Sequence, residues 1–120
     1  MRIVIIDDSD LLRKTVGRAC KEIKNVEIVG EANNGLAALD VIKDKQPDLI
    51  ILDIRMPGLN GISVLGKMKE LGIRCKICIL TNYSQQQYKR KCLEEGADYF
   101  FDKNKDFKLM LNTIDMLANQ

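Results

Sequence analysis

The chain has no histidine at all and only four cysteines, Cys20, Cys75, Cys78 and Cys92. Cys75-Lys76-Ile77-Cys78 has the spacing of a redox or zinc motif. Residues three apart in a strand point to opposite faces, however, and Cys78 lies inside the apolar run Ile77-Cys78-Ile79-Leu80. With no second pair and no imidazole to complete a site, zinc is excluded. The cysteines are expected to be reduced, partly buried small hydrophobes. Charge of one sign is also lacking. Nineteen Lys+Arg against 17 Asp+Glu leave a formal charge of +2, too small and too dispersed to mark a nucleic-acid or membrane surface. Long apolar runs are missing too. Ile3-Val4-Ile5-Ile6 stops at Asp7-Asp8 without a small-residue cleavage site, so it is not a signal peptide. Nothing approaches the roughly 20 apolar residues of a membrane span, and a cytoplasmic protein is the expectation. No repeat, linker or low-complexity tail is visible, and 120 residues suffice for one domain, residues 1–120, with one core.

What the chain does have is a regular alternation of element types. Ile3 to Ile6 is a β-branched run without polar alternation, as in a parallel strand covered on both faces. Leu12, Val16, Ala19, Cys20 and Ile23 then recur at helical spacing, predicting a helix from Asp10 to about Lys24 capped by Ser9 or Asp10. Gly17 inside it costs about 1 kcal/mol against alanine, for no reason visible in the sequence. Val26 to Ala32 reads as a strand nearer an edge, Asn33-Asn34-Gly35 as a turn and cap, and Leu36 to Lys45 as a helix. Pro47 separates that helix from the strand Leu49 to Asp53. Met56-Pro57-Gly58-Leu59 has the residues of a type II turn, and Asn60-Gly61 opens a helix. Ile62, Leu65, Met68 and Leu71 would face inward there, and Gly72 would end it. Lys76 to Thr81 is a strand, and Ser84 is placed to cap a helix that turns Tyr88, Cys92 and Leu93 inward and stops at Gly96. Tyr99-Phe100-Phe101 is a short strand running into Asp102-Lys103. A last helix from about Asp106 carries Phe107, Met110, Ile114 and Leu117 on one face. Five strands alternating with five helices predict an α/β, doubly wound, flavodoxin-like parallel sheet, order 2-1-3-4-5, with helices on both faces.

That order makes the first and third strands neighbours at the switch point, where ligands bind beyond the carboxyl ends of strands. Asp7, Asp8 and Asp53 then share one crevice. Carboxylates so placed repel, and one of them has a raised pKa unless a cation joins them. A hard, oxygen-preferring ion meets the need, Mg²⁺ first and Mn²⁺ as a substitute. Thr81 brings a hydroxyl to the same rim and Lys103 a compact cation.

Taken together, Ile6-Asp7-Asp8, Leu52-Asp53-Ile54-Arg55-Met56-Pro57-Gly58, Leu80-Thr81 and Gly96-Ala97-Asp98-Tyr99-Phe100-Phe101-Asp102-Lys103 resemble a response-regulator receiver domain of two-component signal transduction. The similarity covers essentially the whole chain. It implies that Asp53 accepts the phosphoryl group, that Asp8 binds Mg²⁺ directly, that Asp7 acts largely through a water, and that the Arg55 backbone carbonyl is a further ligand. Lys103 would hold Asp53 before reaction and a phosphoryl oxygen afterwards, and Thr81 would hydrogen-bond another. The donor would be a phosphohistidine on a sensor histidine kinase or histidine phosphotransfer protein, or a small acyl phosphate. As switch residues, Thr81 would move toward the phosphoryl group and Phe100 would swing inward. That would reshape the fourth helix, fifth strand and fifth helix for a downstream protein target or for an output domain beyond Gln120. Such a domain catalyses only its own phosphorylation and dephosphorylation.

The chain also departs from the family. Lys103 is followed by Asn104 where many relatives have proline, and Phe100 stands where many have tyrosine. Arg55 and Tyr83 lie two residues beyond Asp53 and Thr81, flanking the path of attacking water, and are expected to tune the lifetime of the phosphorylated form. Lys89-Arg90-Lys91 is read as a solvated helix face. Three other functions compete. A haloacid-dehalogenase-like phosphatase would use Asp8-Ser9-Asp10, but Leu11-Leu12 and the lack of a cap insertion count against it. A mononucleotide binder needs a Ser/Thr/Gly phosphate loop, and this first loop is acidic. A receiver-like binding module that is never phosphorylated would not need so complete an acceptor set.

Overall fold

A computed structural model describing residues 1–120 contains β1 (Arg2–Ile6), α1 (Asp10–Lys21), β2 (Glu27–Ala32), α2 (Gly35–Lys45), β3 (Leu49–Leu52), α3 (Gly61–Glu70), β4 (Lys76–Thr81), α4 (Gln86–Glu94), β5 (Tyr99–Asp102) and α5 (Phe107–Ala118). The strands form one parallel sheet in the order β2-β1-β3-β4-β5, the flavodoxin-like arrangement expected from the alternation. Period-two geometry divides the apolar runs of the central strands between two cores. Val4, Ile6, Ile50, Leu52, Ile77 and Ile79 pack with α2, α3 and α4. Ile3, Ile5, Leu49, Ile51, Cys78 and Leu80 pack with α1 and α5. Covering both faces is why these strands lack polar alternation. No helix is long and apolar enough to cross a membrane.

The same periodicity disposes of the cysteine pair. Cys75 packs against the α2–α4 core and Cys78 lies inside the α1–α5 core, so the two thiols are on opposite sides of the sheet. All four cysteines are free. Burial pushes the thiols of Cys20, Cys75 and Cys92 up to about 11 and raises that of Cys78 as well.

Several boundaries and faces differ from the sequence reading. Helix α1 stops at Lys21 rather than Lys24, with Glu22 as its C-cap, and Asn25 takes a left-handed conformation (φ 66°) in the turn into β2. Ser9, rather than Asp10, caps α1, accepting from Leu12 N. Asp53 lies just past β3 instead of ending it. Helix α4 begins at Gln86, and Ser84 does not cap it. The preceding loop is instead held by Thr81, whose Oγ1 accepts the Tyr83 N–H at 3.1 Å. Leu71 and Leu93 are exposed rather than inward. In α3 the buried set is Gly61, Val64, Leu65 and Met68, and Leu71 falls at the C-cap beyond that stripe. Cys92 is the one buried residue of α4, and its neighbour Leu93 turns away. Every peptide bond is trans, Lys103–Asn104 included.

Two glycines fix the loop after β3. Gly58 has φ 72°, the left-handed value that a type II turn demands at its third position. Gly61 packs so closely that a Cβ there would sit 2.2 Å from the Asp53 carbonyl oxygen, and its N–H donates to Ile54 O at 2.7 Å. The start of α3 is thereby pressed against the backbone that carries Asp53. Gly17 gains no comparable reason, since a Cβ there would meet Ile5 Cδ1 at an ordinary 3.6 Å.

Gly61→Ala is expected to cost at least about 1–3 kcal/mol, the range for overpacking, because the clash is with backbone. Gly66→Ala in the same helix, with nothing within 4 Å of the added carbon, should instead gain up to about 1 kcal/mol. Urea unfolding of the pair at equal slope separates close approach from helix propensity.

Candidate functional site

Parallel register brings the site together. Ile6 pairs with Leu52, Leu52 with Ile79, and Thr81 with Asp102. The next residues of β1 and β3 therefore emerge side by side. Asp7 N donates to Ala32 O at 3.1 Å and Asp53 N to Ile6 O at 3.0 Å, extending the ladder through both acids. Asp7 and Asp53 are buried, at 3% and 5% exposure, while Asp8 is exposed.

Each buried carboxylate is held twice. Asp7 Oδ1 accepts the Ser9 N–H at 2.9 Å, and its Oδ2 lies 2.8 Å from Lys103 Nζ. Asp53 Oδ1 accepts its neighbour's N–H, from Ile54, at 2.8 Å, and its Oδ2 accepts from Lys103 Nζ at 3.1 Å. Burial alone would lower the pKa of the Lys103 ammonium. The hydrogen bond to Asp7 and the charge on Asp53 outweigh it and hold that pKa above the ordinary lysine value. Asp8 completes the cluster, and the three acids each offer an oxygen within 4.8 Å of the others.

Three carboxylates against one ammonium leave negative charge uncompensated. The candidate ligand atoms are carboxylate oxygens, with no imidazole or thiolate among them, and Asp8 faces solvent, which suits a small hard divalent ion that keeps several waters. The donor set fits Mg²⁺.

The other expected residues surround this cluster. Thr81 is fully buried, with its hydroxyl oxygen engaged by Tyr83 N–H and its carbonyl by Lys103 N–H at 2.9 Å. Arg55 is exposed and lays its guanidinium 4.6 Å above the Tyr83 ring. Tyr83 in turn meets the Tyr88 ring edge-on, centroids 6.1 Å apart. Arg55 and Tyr83 are thus bonded to each other, and neither hydrogen-bonds Asp53. Phe100 is half-buried against the α2–α4 core and borders a groove with Ser84, Lys89 and Lys105.

Arg13 belongs to the site although the sequence reading passed it over. Its Nη1 donates to the Asp7 carbonyl at 2.7 Å, and its Nε pairs with Glu31 at 3.1 Å. A charged residue between the inward-facing Leu12 and Val16 of an amphipathic helix was the available signal.

Comparison with known proteins agrees with this geometry. The family described as "Response regulator receiver domain" matches residues 3–115. The protein-glutamate methylesterase/protein-glutamine glutaminase of Treponema pallidum is 38% identical over 103 residues, covering 84% of this chain and 26% of the relative. The uncharacterized transcriptional regulatory protein YhcZ of Bacillus subtilis is 34% identical over 113 residues, covering 94% of this chain and 53% of the relative. The chain thus spans about half the length of YhcZ and of the regulator BvgA of Bordetella pertussis, 53% in each case. Among solved structures, a LuxR-family DNA-binding response regulator from Staphylococcus aureus superposes with a TM-score of 0.89 at 28% identity, covering 98% of both chains. The CheX–CheY–BeF₃–Mg²⁺ complex of Borrelia burgdorferi shares the fold, with a TM-score of 0.89 at 24% identity over 100% of this chain and 90% of that one.

Neutralising one acid tests the charge imbalance. In metal-free buffer Asp8→Asn should raise stability by up to about 1 kcal/mol, as for an exposed charge. The variant should also lose most of the stabilisation that added Mg²⁺ gives the parent through linkage. Equal stability without metal and an equal response to Mg²⁺ would remove Asp8 from the cluster.

Proposed function

This chain belongs to the response regulator receiver family, and from that premise we propose that it is a signalling switch operated by Mg²⁺-dependent phosphorylation of Asp53. The observation that carries this reading is the convergence of Asp7, Asp8 and Asp53 around Lys103 at the carboxyl rim of the sheet. Membership of the family leaves the haloacid-dehalogenase and mononucleotide readings without support.

On this reading residues 1–120 are a receiver domain in the cytoplasm. It takes its phosphoryl group from a phosphohistidine of a sensor kinase or phosphotransfer protein, or from a small acyl phosphate. A carboxylate oxygen of Asp53 attacks phosphorus, the bond to the donor's leaving atom breaks, and an aspartyl-phosphate results. Asp7, Asp8 and Asp53, with the Arg55 carbonyl, would hold the metal. Bound there, Mg²⁺ would supply charge neutralisation for the transferring group. The protein's own part is placement. Lys103 follows the charge from Asp53 onto a phosphoryl oxygen, and the Thr81 hydroxyl donates a hydrogen bond to another. The chain catalyses only the gain and loss of its own phosphoryl group.

Output follows from what Thr81 must release. Its hydroxyl oxygen holds the Tyr83 N–H, so recruitment toward a phosphoryl group frees the loop before α4. Phe100 then moves from its groove toward the vacated space, changing the α4–β5–α5 surface. A downstream protein, or a further domain of the kind that makes the curated relatives longer, reads that change. On the same reading Arg55 and Tyr83 would roof the acyl phosphate against water and set its lifetime.

Incubation with Mg²⁺ and acetyl phosphate should add one phosphoryl mass. The addition should vanish on chelation and in Asp53→Asn. Persistence of the label in Asp53→Asn, or its appearance on Asp8, would overturn the assignment, and no label with any phosphodonor would leave a binding module only. Tyr83→Ala and Arg55→Ala should each shorten the lifetime of the label several-fold as water gains access. Decay at the parent rate in both variants would deny the roof its role.

A further inference from the structure

We infer that Asp102, clamped by Asp106, is the positioning residue that sets Lys103 across Asp7 and Asp53. This rests on the role given to Lys103 above. A lysine side chain has four flexible carbons and no pre-organised fork, so the place of its backbone decides which acids its ammonium can span. Lys103 is the first residue past β5, and only Lys103 to Asp106 separate that strand from α5. Its N–H makes the last ladder bond, to Thr81 O at 2.9 Å, and the chain then turns sharply.

Asp102 ties down that turn from both sides of Lys103. Its Oδ1 accepts the N–H of Asn104 at 2.7 Å and of Lys105 at 3.1 Å. Its own N–H donates to Asp106 Oδ2 at 2.9 Å, and its carbonyl accepts the Asp106 N–H at 2.9 Å. Every polar group of Asp102's backbone on the turn side, and its carboxylate, thus closes around one residue.

Two further observations separate this from an ordinary helix start. Asp106 stands at the N-cap of α5, where an aspartate side chain normally accepts from the helix's own N–H groups. It makes no such bond and turns back to Asp102. Asp102 itself is buried, at 9% exposure, and forms no salt bridge with a lysine or arginine. The Ser84 hydroxyl and the N–H groups of Asn104 and Lys105 hold its carboxyl below the usual carboxylate range. With the Ser84 hydroxyl and the nearby Lys105 charge as its other support, this carboxylate spends its bonds on closing the turn. The 2.7 Å bond also needs an N–H at position 104, which asparagine has and proline lacks. This chain aims its lysine with a carboxylate bracket where many relatives have proline.

The test uses the whole chain and two readouts. The first is the rate of acetyl-phosphate labelling of Asp53 at saturating Mg²⁺. The second is the NMR signal of the Lys103 ammonium, which is slow to exchange only while clamped between two carboxylates. Asp102→Ala should slow labelling roughly tenfold to a hundredfold, the scale of an ångström's misplacement, and should broaden the ammonium signal away. Asp102→Asn keeps an oxygen for the two N–H groups and should retain most of both. In a Lys103→Ala background, Asp102→Ala should slow labelling no further. If Asp102→Ala does not fold, Asn104→Pro, which deletes the shorter bond and also fixes φ at 104, takes its place, with Asn104→Ala as the control for the lost side chain. An unchanged ammonium signal in Asp102→Ala, or in Asn104→Pro where that replaces it, or an equal loss of rate with and without Lys103, overturns the inference. A parent that is never labelled overturns the proposed function instead, and the ammonium signal still decides the bracket.

Discussion

Repulsion among three carboxylates is the constraint around which this molecule is arranged. At 4 Å and an effective dielectric near 20, a pair of like charges costs about 4 kcal/mol, and the acids here present oxygens within 4.8 Å of one another. Such a cluster cannot assemble itself. It is held because two apolar cores fix β1 and β3 as neighbours in register, so the residues after Ile6 and Leu52 have nowhere else to go. Backbone N–H groups of Ser9 and Ile54 and the Lys103 ammonium offset part of the repulsion. The remainder is negative charge that a cation would neutralise.

The same constraint explains why the supporting residues are where they are. Arg13 pins the carbonyl of Asp7, so the first acid cannot relax away from the others. Gly61 lets α3 press against the backbone of Asp53, where any side chain would push the third acid outward. The acids sit on the rim of a sheet and the pieces that hold them come from α1, α3 and the β5–α5 turn. Local rigidity at the site is therefore a property of both cores at once, and a cavity in either should be felt at Asp53.

The sheet and its acids were legible in the sequence because they depend on short-range chemistry. Unbroken β-branched runs mean strands covered on both faces, and each run ended in a residue whose type announced a rim. What was not legible depended on partners distant in sequence. Leu71 and Leu93 are apolar residues at the margins of helical stripes, and only the depth of the neighbouring packing decides whether a margin is covered. Ser84 has the chemistry of a cap, but Thr81 held the loop in another course, and α4 started later. Asp106 was read as the beginning of a helix, and only the fold shows its carboxylate committed to Asp102. Arg13 looked like one more charge on α1 until its reach to the Asp7 carbonyl was seen. Arg55 and Tyr83 were both placed near the acids from their spacing, yet spacing could not reveal that they bind each other.

Helix α4 is the least anchored of the helices, and that bears on how any change at Thr81 would leave the site. It buries only Cys92, has no side-chain cap at its start, and begins beside a loop whose fixed point is the Thr81 hydroxyl. Elements with little buried surface and few capping bonds open at the lowest free energy. Tyr88, on the first turn of α4, touches Tyr83, and Tyr83 carries Arg55. A pull on the Thr81 side chain therefore has a contiguous path through one backbone N–H and two aromatic rings to the helix least able to resist it. Lys103 ties the same site to β5 and α5 through the turn that Asp102 and Asp106 close. The first connection has fewer bonds to break than the second. A small displacement at the acids would then appear as a shift of α4 relative to a fixed α5, a change of surface shape rather than a general loosening.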